Sequence, residues 1–161
     1  MPKAIHLHIS FWLYSCLEEL PEKERFVLET ARRAISTAYA PYSGFCVGAA
    51  ALLSNGVVVI GSNQENAAYP SGLCAERTAL FAAGAHYSGQ TIEMLAVSAQ
   101  RAGENRYRPA HPCGACCQVI AEYQDRQQKS MRIIMEGEDG QIRVVDGVEA
   151  LLPFRFGKHS L

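Results

Sequence analysis

Cys46-Val47-Gly48-Ala49-Ala50-Ala51-Leu52-Leu53-Ser54-Asn55-Gly56-Val57-Val58-Val59-Ile60-Gly61-Ser62 sets two apolar runs on either side of Asn55-Gly56. Asn-Gly between apolar runs is the strongest short-range hairpin signal, because the tight turn that matches strand twist needs residues that tolerate positive φ. Residues 46–53 and 57–62 therefore read as paired strands. Toward the amino end, Pro21 opens a helix where a missing amide hydrogen costs least, Val27, Ala31, Ile35 and Ala38 form its buried stripe, and Pro41 ends it. Toward the carboxyl end, a small and polar loop runs from Asn63 to Leu73, an alanine-rich helix from Cys74 to about Ala85, and a strand from Thr91 to Ala99. A polar loop with Gly103, Pro109 and Pro112 leads into a third helix, with Cys116, Val119, Ile120 and Tyr123 on its inner face. Met131 to Met135 and Gln141 to Val145 read as strands flanking a turn at Gly137 to Gly140. Ile5, Leu7 and Ile9 alternate with His6 and His8, which is strand periodicity. Strands alternating with helices predict an α/β sandwich around a mixed sheet.

At 161 residues one domain, 1–161, is expected. A chain of about 150 residues buries roughly 68–70% of its unfolded surface, so a core forms without covalent staples. Fifteen Lys and Arg against 16 Asp and Glu give a formal net charge of -1 with no long basic run, which argues against a nucleic-acid partner. No apolar stretch reaches the roughly 18 residues that span a membrane. The apolar residues of the amino-terminal stretch are interrupted by His6, His8 and Ser10, and no small-residue cleavage site follows. A cytoplasmic, reduced protein is expected.

Three of the six cysteines lie in Pro112-Cys113-Gly114-Ala115-Cys116-Cys117, a spacing that suits a metal or redox centre better than loop-closing disulfides. Cys113 and Cys116 open the third helix three residues apart and so face the same way. Cys74-Ala75-Glu76 opens the second helix. Helix amino ends carry partial positive charge, which favours the thiolates that bind zinc. Three thiolates without an obvious fourth ligand form the open pattern of catalytic zinc. A Cys-x-Glu arises by chance about 0.5 times in a chain of this composition, and Pro-Cys-x-x-Cys only about 0.01 times, so the joint pattern is specific.

Ala40-Pro41-Tyr42-Ser43 with Phe45 and Val47-Gly48-Ala49-Ala50, then Asn63-Gln64-Glu65-Asn66-Ala67-Ala68-Tyr69-Pro70, Gly72-Leu73-Cys74-Ala75-Glu76-Arg77-Thr78-Ala79-Leu80 and Pro112-Cys113-Gly114-Ala115-Cys116 resemble the small, homotetrameric cytidine deaminases of pyrimidine salvage. The resemblance runs from about Arg25 to Gly157 and includes Leu151-Leu152-Pro153 with Phe156-Gly157. It implies a three-layer α/β/α sandwich with a mixed sheet of about five strands. Residues 1–20 lie outside it, as an amino-terminal extension expected to add one strand.

The same resemblance implies a hydrolase with one Zn2+ per subunit, held by Cys74, Cys113 and Cys116, and with Glu76 as the proton shuttle. Its substrate would be free cytidine or deoxycytidine, converted to uridine or deoxyuridine and ammonia. Asn63 and Glu65 would hold the ribose hydroxyls, Phe45 the base, and the Ala75 backbone the pyrimidine edge. Tyr69 and Phe156 would complete a neighbouring subunit's pocket, which makes a homotetramer part of the function. Arg77 is placed to offset the negative charge of three thiolates by a charged hydrogen bond, worth roughly 1.5–3 kcal/mol. Cys117 departs from the family, whose members commonly carry Arg there; it sits about 100° around the helix from Cys116, away from the ligand set. His111, before Pro112, reads as a loop residue rather than a ligand. Other readings of the cysteines are a deaminase of another small aminopyrimidine compound of the blasticidin S type, a structural zinc module, and a thiol-redox protein using Cys113 and Cys116.

Overall fold

The structure, a computed structural model, describes residues 2–161. Its strands are β1 (Trp12–Tyr14), β2 (Phe45–Leu53), β3 (Val58–Ser62), β4 (Ile92–Arg101), β5 (Tyr107–Arg108), β6 (Arg132–Glu136) and β7 (Ile142–Asp146). The helices are α1 (Glu22–Ala34), α2 (Ala75–His86) and α3 (Gly114–Gln127). One sheet runs in the order β1-β7-β6-β4-β2-β3, with β5 added along β4. Only the β4–β6 pair is parallel, so the sheet is mixed.

The hairpin at Asn55-Gly56 forms as the sequence demands. Gly56 has φ +84°, the Leu53 carbonyl accepts from the Gly56 amide, and Asn55 Oδ1 accepts from the Val57 amide at 3.1 Å. Period-two alternation then divides β2 between two cores. Ala49, Ala51 and Leu53 face α2 and α3, together with Leu95, Val97 and Ile133; Ala50 and Leu52 face α1, together with Ala96, Ile134 and Val144. The architecture is thus the expected three layers, with α1 on one face and α2 and α3 on the other. Glycines bring the helices close on both sides. A Cβ at Gly48 would overlap the Ala31 carbonyl of α1, and one at Gly61 would overlap Ala75 and Ala79 of α2.

Helix α1 follows Pro21 directly, with Glu22 and Glu24 in its first turn and Arg32 and Arg33 in its last, each sign favourable to the helix dipole. It ends at Ala34; Ile35–Thr37 form a 3-10 turn and Ala38 is extended, so Ala38 leaves the predicted stripe. On α3 the buried face is Cys116, Cys117, Ile120, Ala121 and Gln124, turned slightly from the expected one, with Val119 and Tyr123 only partly buried. Gln124 is the reason: its Oε1 accepts from the Met131 and Val148 amides and draws that side of the helix inward.

The sheet has seven strands instead of about five. Residues Tyr107–Arg108, expected in loop, pair with Gln100 and Ala99 because β6 leaves β4 after Val97 and frees that stretch of its edge. The strand expected at Ile5–Ile9 is not formed; the extension's strand is β1, three residues later. Its register explains the shift. Trp12 pairs with Val144, and β7 stops at Asp146, so in this register residues before Ser10 have passed the end of the strand they would join.

Candidate active site

Helices α2 and α3 begin side by side, and the residues that cap them are cysteines. Cys74 and Cys113 hold the extended N-cap conformation of α2 and α3, and Cys116 lies in the first turn of α3. The Sγ atoms of Cys74 and Cys113 are 3.8 Å apart, those of Cys113 and Cys116 are 3.5 Å apart, and all three lie within 4.8 Å of one another. A tetrahedral zinc with Zn–S bonds of about 2.3 Å requires sulfur separations of about 3.8 Å, so this triangle fits the ion. Among the described residues no fourth His, Cys, Asp or Glu joins it. Cys117 is buried outside the triangle, where its thiol donates to the Pro112 carbonyl at 3.6 Å and burial pushes it up to about 11.

The triangle lies beside a cavity of about 700 Å³ whose wall includes Cys74, Ala75, Glu76, Arg77 and Cys113. Glu76 is 3% exposed, and burial pushes its carboxyl up to about 7 against the opposing hydrogen bond from its own amide. It has no salt-bridge partner among the described residues. In the metal-free chain Cys74 is lowered to about 5, first by the hydrogen bond from Cys116 and, against burial, also by Arg77. Cys116 shifts upward as the partner that keeps its proton. Arg77 Nη2 reaches Cys74 Sγ at 3.7 Å, the contact expected of it, while its buried Nε has no partner.

Phe45, Asn63, Glu65 and Tyr69 line the same cavity. Asn63 spans β2, its Oδ1 accepting from the Val47 amide at 2.8 Å and its Nδ2 donating to the Phe45 carbonyl at 2.9 Å. One amide hydrogen and one lone pair remain for a ligand. The Glu65 carboxylate accepts from the Ser43 hydroxyl at 2.5 Å and from the Tyr42 and Ser43 amides, and these bonds, the hydroxyl first, hold its pKa below the usual range. Tyr69, expected to serve a neighbouring subunit, lines the cavity of its own chain and packs edge-on against Tyr42 with ring centroids 6.3 Å apart. Phe156 lies outside the cavity wall, 60% exposed, with its carbonyl accepting from Gln118.

Sequence reasoning missed Tyr42 and Ser43 as the groups that orient Glu65, a contact across 22 and 23 residues. It also left His111 as plain loop, whereas His111 lines the cavity and its Nε2 lies 3.0 Å from Arg143 Nη1. A guanidinium has no acceptor, so that nitrogen accepts and the ring is neutral, with its proton on Nδ1.

A family model described as the cytidine and deoxycytidylate deaminase zinc-binding region matches residues 21–135. The chain belongs to this family of zinc-dependent deaminases. A cytidine deaminase of Sporosarcina psychrophila is 41% identical over 138 residues, covering 86% of this chain and 93% of that protein. One from Halalkalibacterium halodurans is 39% identical over 132 residues, covering 82% and 92%. The crystal structure of a cytidine deaminase from Burkholderia pseudomallei superposes with a TM-score of 0.68 at 36% identity, over 85% of this chain and 100% of that one.

Proposed function

We propose that this chain, as a single domain, hydrolyses the 4-amino group of free cytidine or deoxycytidine to give uridine or deoxyuridine and ammonia. The observation that carries the reading is the thiol triangle opening onto a cavity that Glu76 shares. Zinc held by Cys74, Cys113 and Cys116 would supply a Lewis acid that lowers the pKa of water to about 7. Glu76 takes one proton from the attacking water and delivers it to ring nitrogen N3 as the oxygen adds to C4; it then takes the remaining proton of the added hydroxyl and passes it to the amine, so that the C4–N bond breaks, the C4 carbonyl forms and ammonia leaves. Arg77 withdraws charge from Cys74 through its hydrogen bond, which offsets the loss of acidity that three thiolates impose on the metal.

A nucleoside fits the outer wall better than a nucleotide. Glu65 presents a carboxylate that accepts from hydroxyls and repels phosphate, Arg77 is engaged with Cys74, and no lysine lines the cavity. Phe45 offers a ring face to the base and the Ala75 backbone its polar edge. A structural zinc module or a redox pair would leave this cavity and Glu76 without a role.

The exposed aromatic rings of Tyr69 (78%) and Phe156 (60%) support a homotetramer in which each completes a neighbour's pocket. Six free cysteines suit the reducing cytoplasm, and among the described residues no helix is long and apolar enough to cross a membrane. The deciding experiment pairs zinc content with ammonia release from cytidine and deoxycytidine. Glu76→Ala should retain zinc and lose about 10²–10⁴-fold in turnover. Bound zinc in the native protein with no turnover on either nucleoside would overturn the reading.

A further inference from the structure

We propose that Arg32 is a positioning residue for the metal site, acting from the opposite face of the sheet by fixing the segment 107–113 that ends on Cys113. The idea rests on the assignment of Cys113 as a ligand. Cys113 is exposed and its thiol pairs with the other two cysteines, so its place is set by its backbone: by α3, which it caps, and by the chain leading to it. Beside the pairing of β5 with β4, one buried carboxylate ties that chain down at two points. Glu136, at the end of β6, is 1% exposed, and it accepts from Arg32 Nη2 at 2.7 Å, Arg32 Nε at 3.2 Å and Ser98 Oγ at 2.8 Å.

The bidentate geometry fixes the orientation of the guanidinium, whose Cζ lies over the Tyr107 ring, 4.1 Å from its centroid. The carbonyl of the same Glu136 accepts from the Ala110 amide at 3.0 Å. Glu136 therefore grips the segment twice, by its backbone at Ala110 and by its side chain through Arg32 at Tyr107. The other ties of the segment are the pairing of β5 with β4, the contact of His111 with Arg143 and the Arg108–Glu104 pair; none of them fixes the Tyr107 ring. The segment is also thin: Pro109 lines both the cysteine cavity and a second cavity of about 530 Å³ walled by Arg32, Tyr107 and Glu136. A shift on the Arg32 side therefore reaches Cys113 along residues 107–113 themselves.

The molecule contains its own control. Arg132 forms a second pair on the same face, donating to the buried Glu24 at 2.6 Å and stacking on Trp12, with no bond to residues 102–113. Outer partners of metal ligands typically influence metal affinity by about 10–100-fold.

The test measures zinc release from the loaded protein into excess chelator, alongside the thiolate charge-transfer absorption of the cobalt(II) form. Tyr107→Leu should release zinc about tenfold faster or more and alter the cobalt spectrum. Tyr107→Phe, which keeps the ring face, should restore the native rate. Arg32→Met should accelerate release at least as much, while Arg132→Met should lower the melting temperature and leave release within about twofold. Native release in Tyr107→Leu overturns the proposal, as does an Arg132→Met variant that loses zinc as fast. Tyr107 is partly exposed, so its variants decide the matter even if Arg32→Met does not fold. Cys113→Ser that binds zinc like the native chain would instead overturn the ligand assignment itself.

Discussion

The two faces of the sheet are cut from the same strands yet treat buried charge in opposite ways. On the α1 face the buried acids Glu24 and Glu136 each meet an arginine. On the α2 and α3 face Glu76 is equally buried and meets none, and its carboxyl rises to about 7. A buried charge with a partner serves architecture, and one without a partner is left able to exchange its proton. The cysteines repeat the contrast on a smaller scale. Cys74, with Cys116 and Arg77 donating to it, is lowered to about 5, and Cys117, in apolar surroundings one helical step from the triangle, rises to about 11.

The largest effect should come from removing a ligand: Cys113→Ala should lose zinc and all turnover, while circular dichroism stays native because two hydrophobic cores hold the fold. Loss of the folded signal on metal removal would make the site structural. On the opposite face, Arg32→Met strands the Glu136 carboxylate and should cost about 3–5 kcal/mol, a drop of roughly 6–20 °C in melting temperature. A smaller change would mean that the Ser98 hydroxyl alone suffices for the carboxylate. Arg77→Gln should keep zinc and slow turnover by about 10–100-fold, the equivalent of a charged hydrogen bond of 1.5–3 kcal/mol. Unchanged turnover across neutral pH would remove Arg77 from the account.

Alkylation should separate the two thiol environments. In chelator-treated protein Cys74, already a thiolate above about pH 5, should react at pH 6–7, whereas Cys117 should stay unmodified until the pH approaches 11, as read by mass spectrometry. The smallest effect is expected from Cys117→Ala, about 1 kcal/mol of stability and no change in metal content.

What was legible in the sequence was local. Asn55-Gly56 dictates its turn, and Pro-Cys-x-x-Cys dictates which thiols share a helix face, because both depend only on neighbouring residues. The meeting of Cys74 with that pair followed once two helix starts had to be packed on one sheet. Illegible were the contacts that bind distant segments: Arg32 to Glu136 across 104 residues, Ser43 to Glu65 across 22, His111 to Arg143 across 32. No spacing rule connects such pairs, since each depends on which strands end level with one another. The extension failed for a related reason. Ile5, Leu7 and Ile9 alternate as a strand should, but alternation describes a willing partner and says nothing about whether an edge is there to receive it.

That short β1 has a consequence of its own. A sheet edge exposes unpaired N–H and C=O groups that recruit other chains, and β7 would be such an edge if the chain began at residue 15. Three residues, with Trp12 lying over Arg132, close it, and strands this brief are poor templates for further addition. Removing β1 would uncover that edge, and the change would be felt first in the concentration at which the protein begins to aggregate.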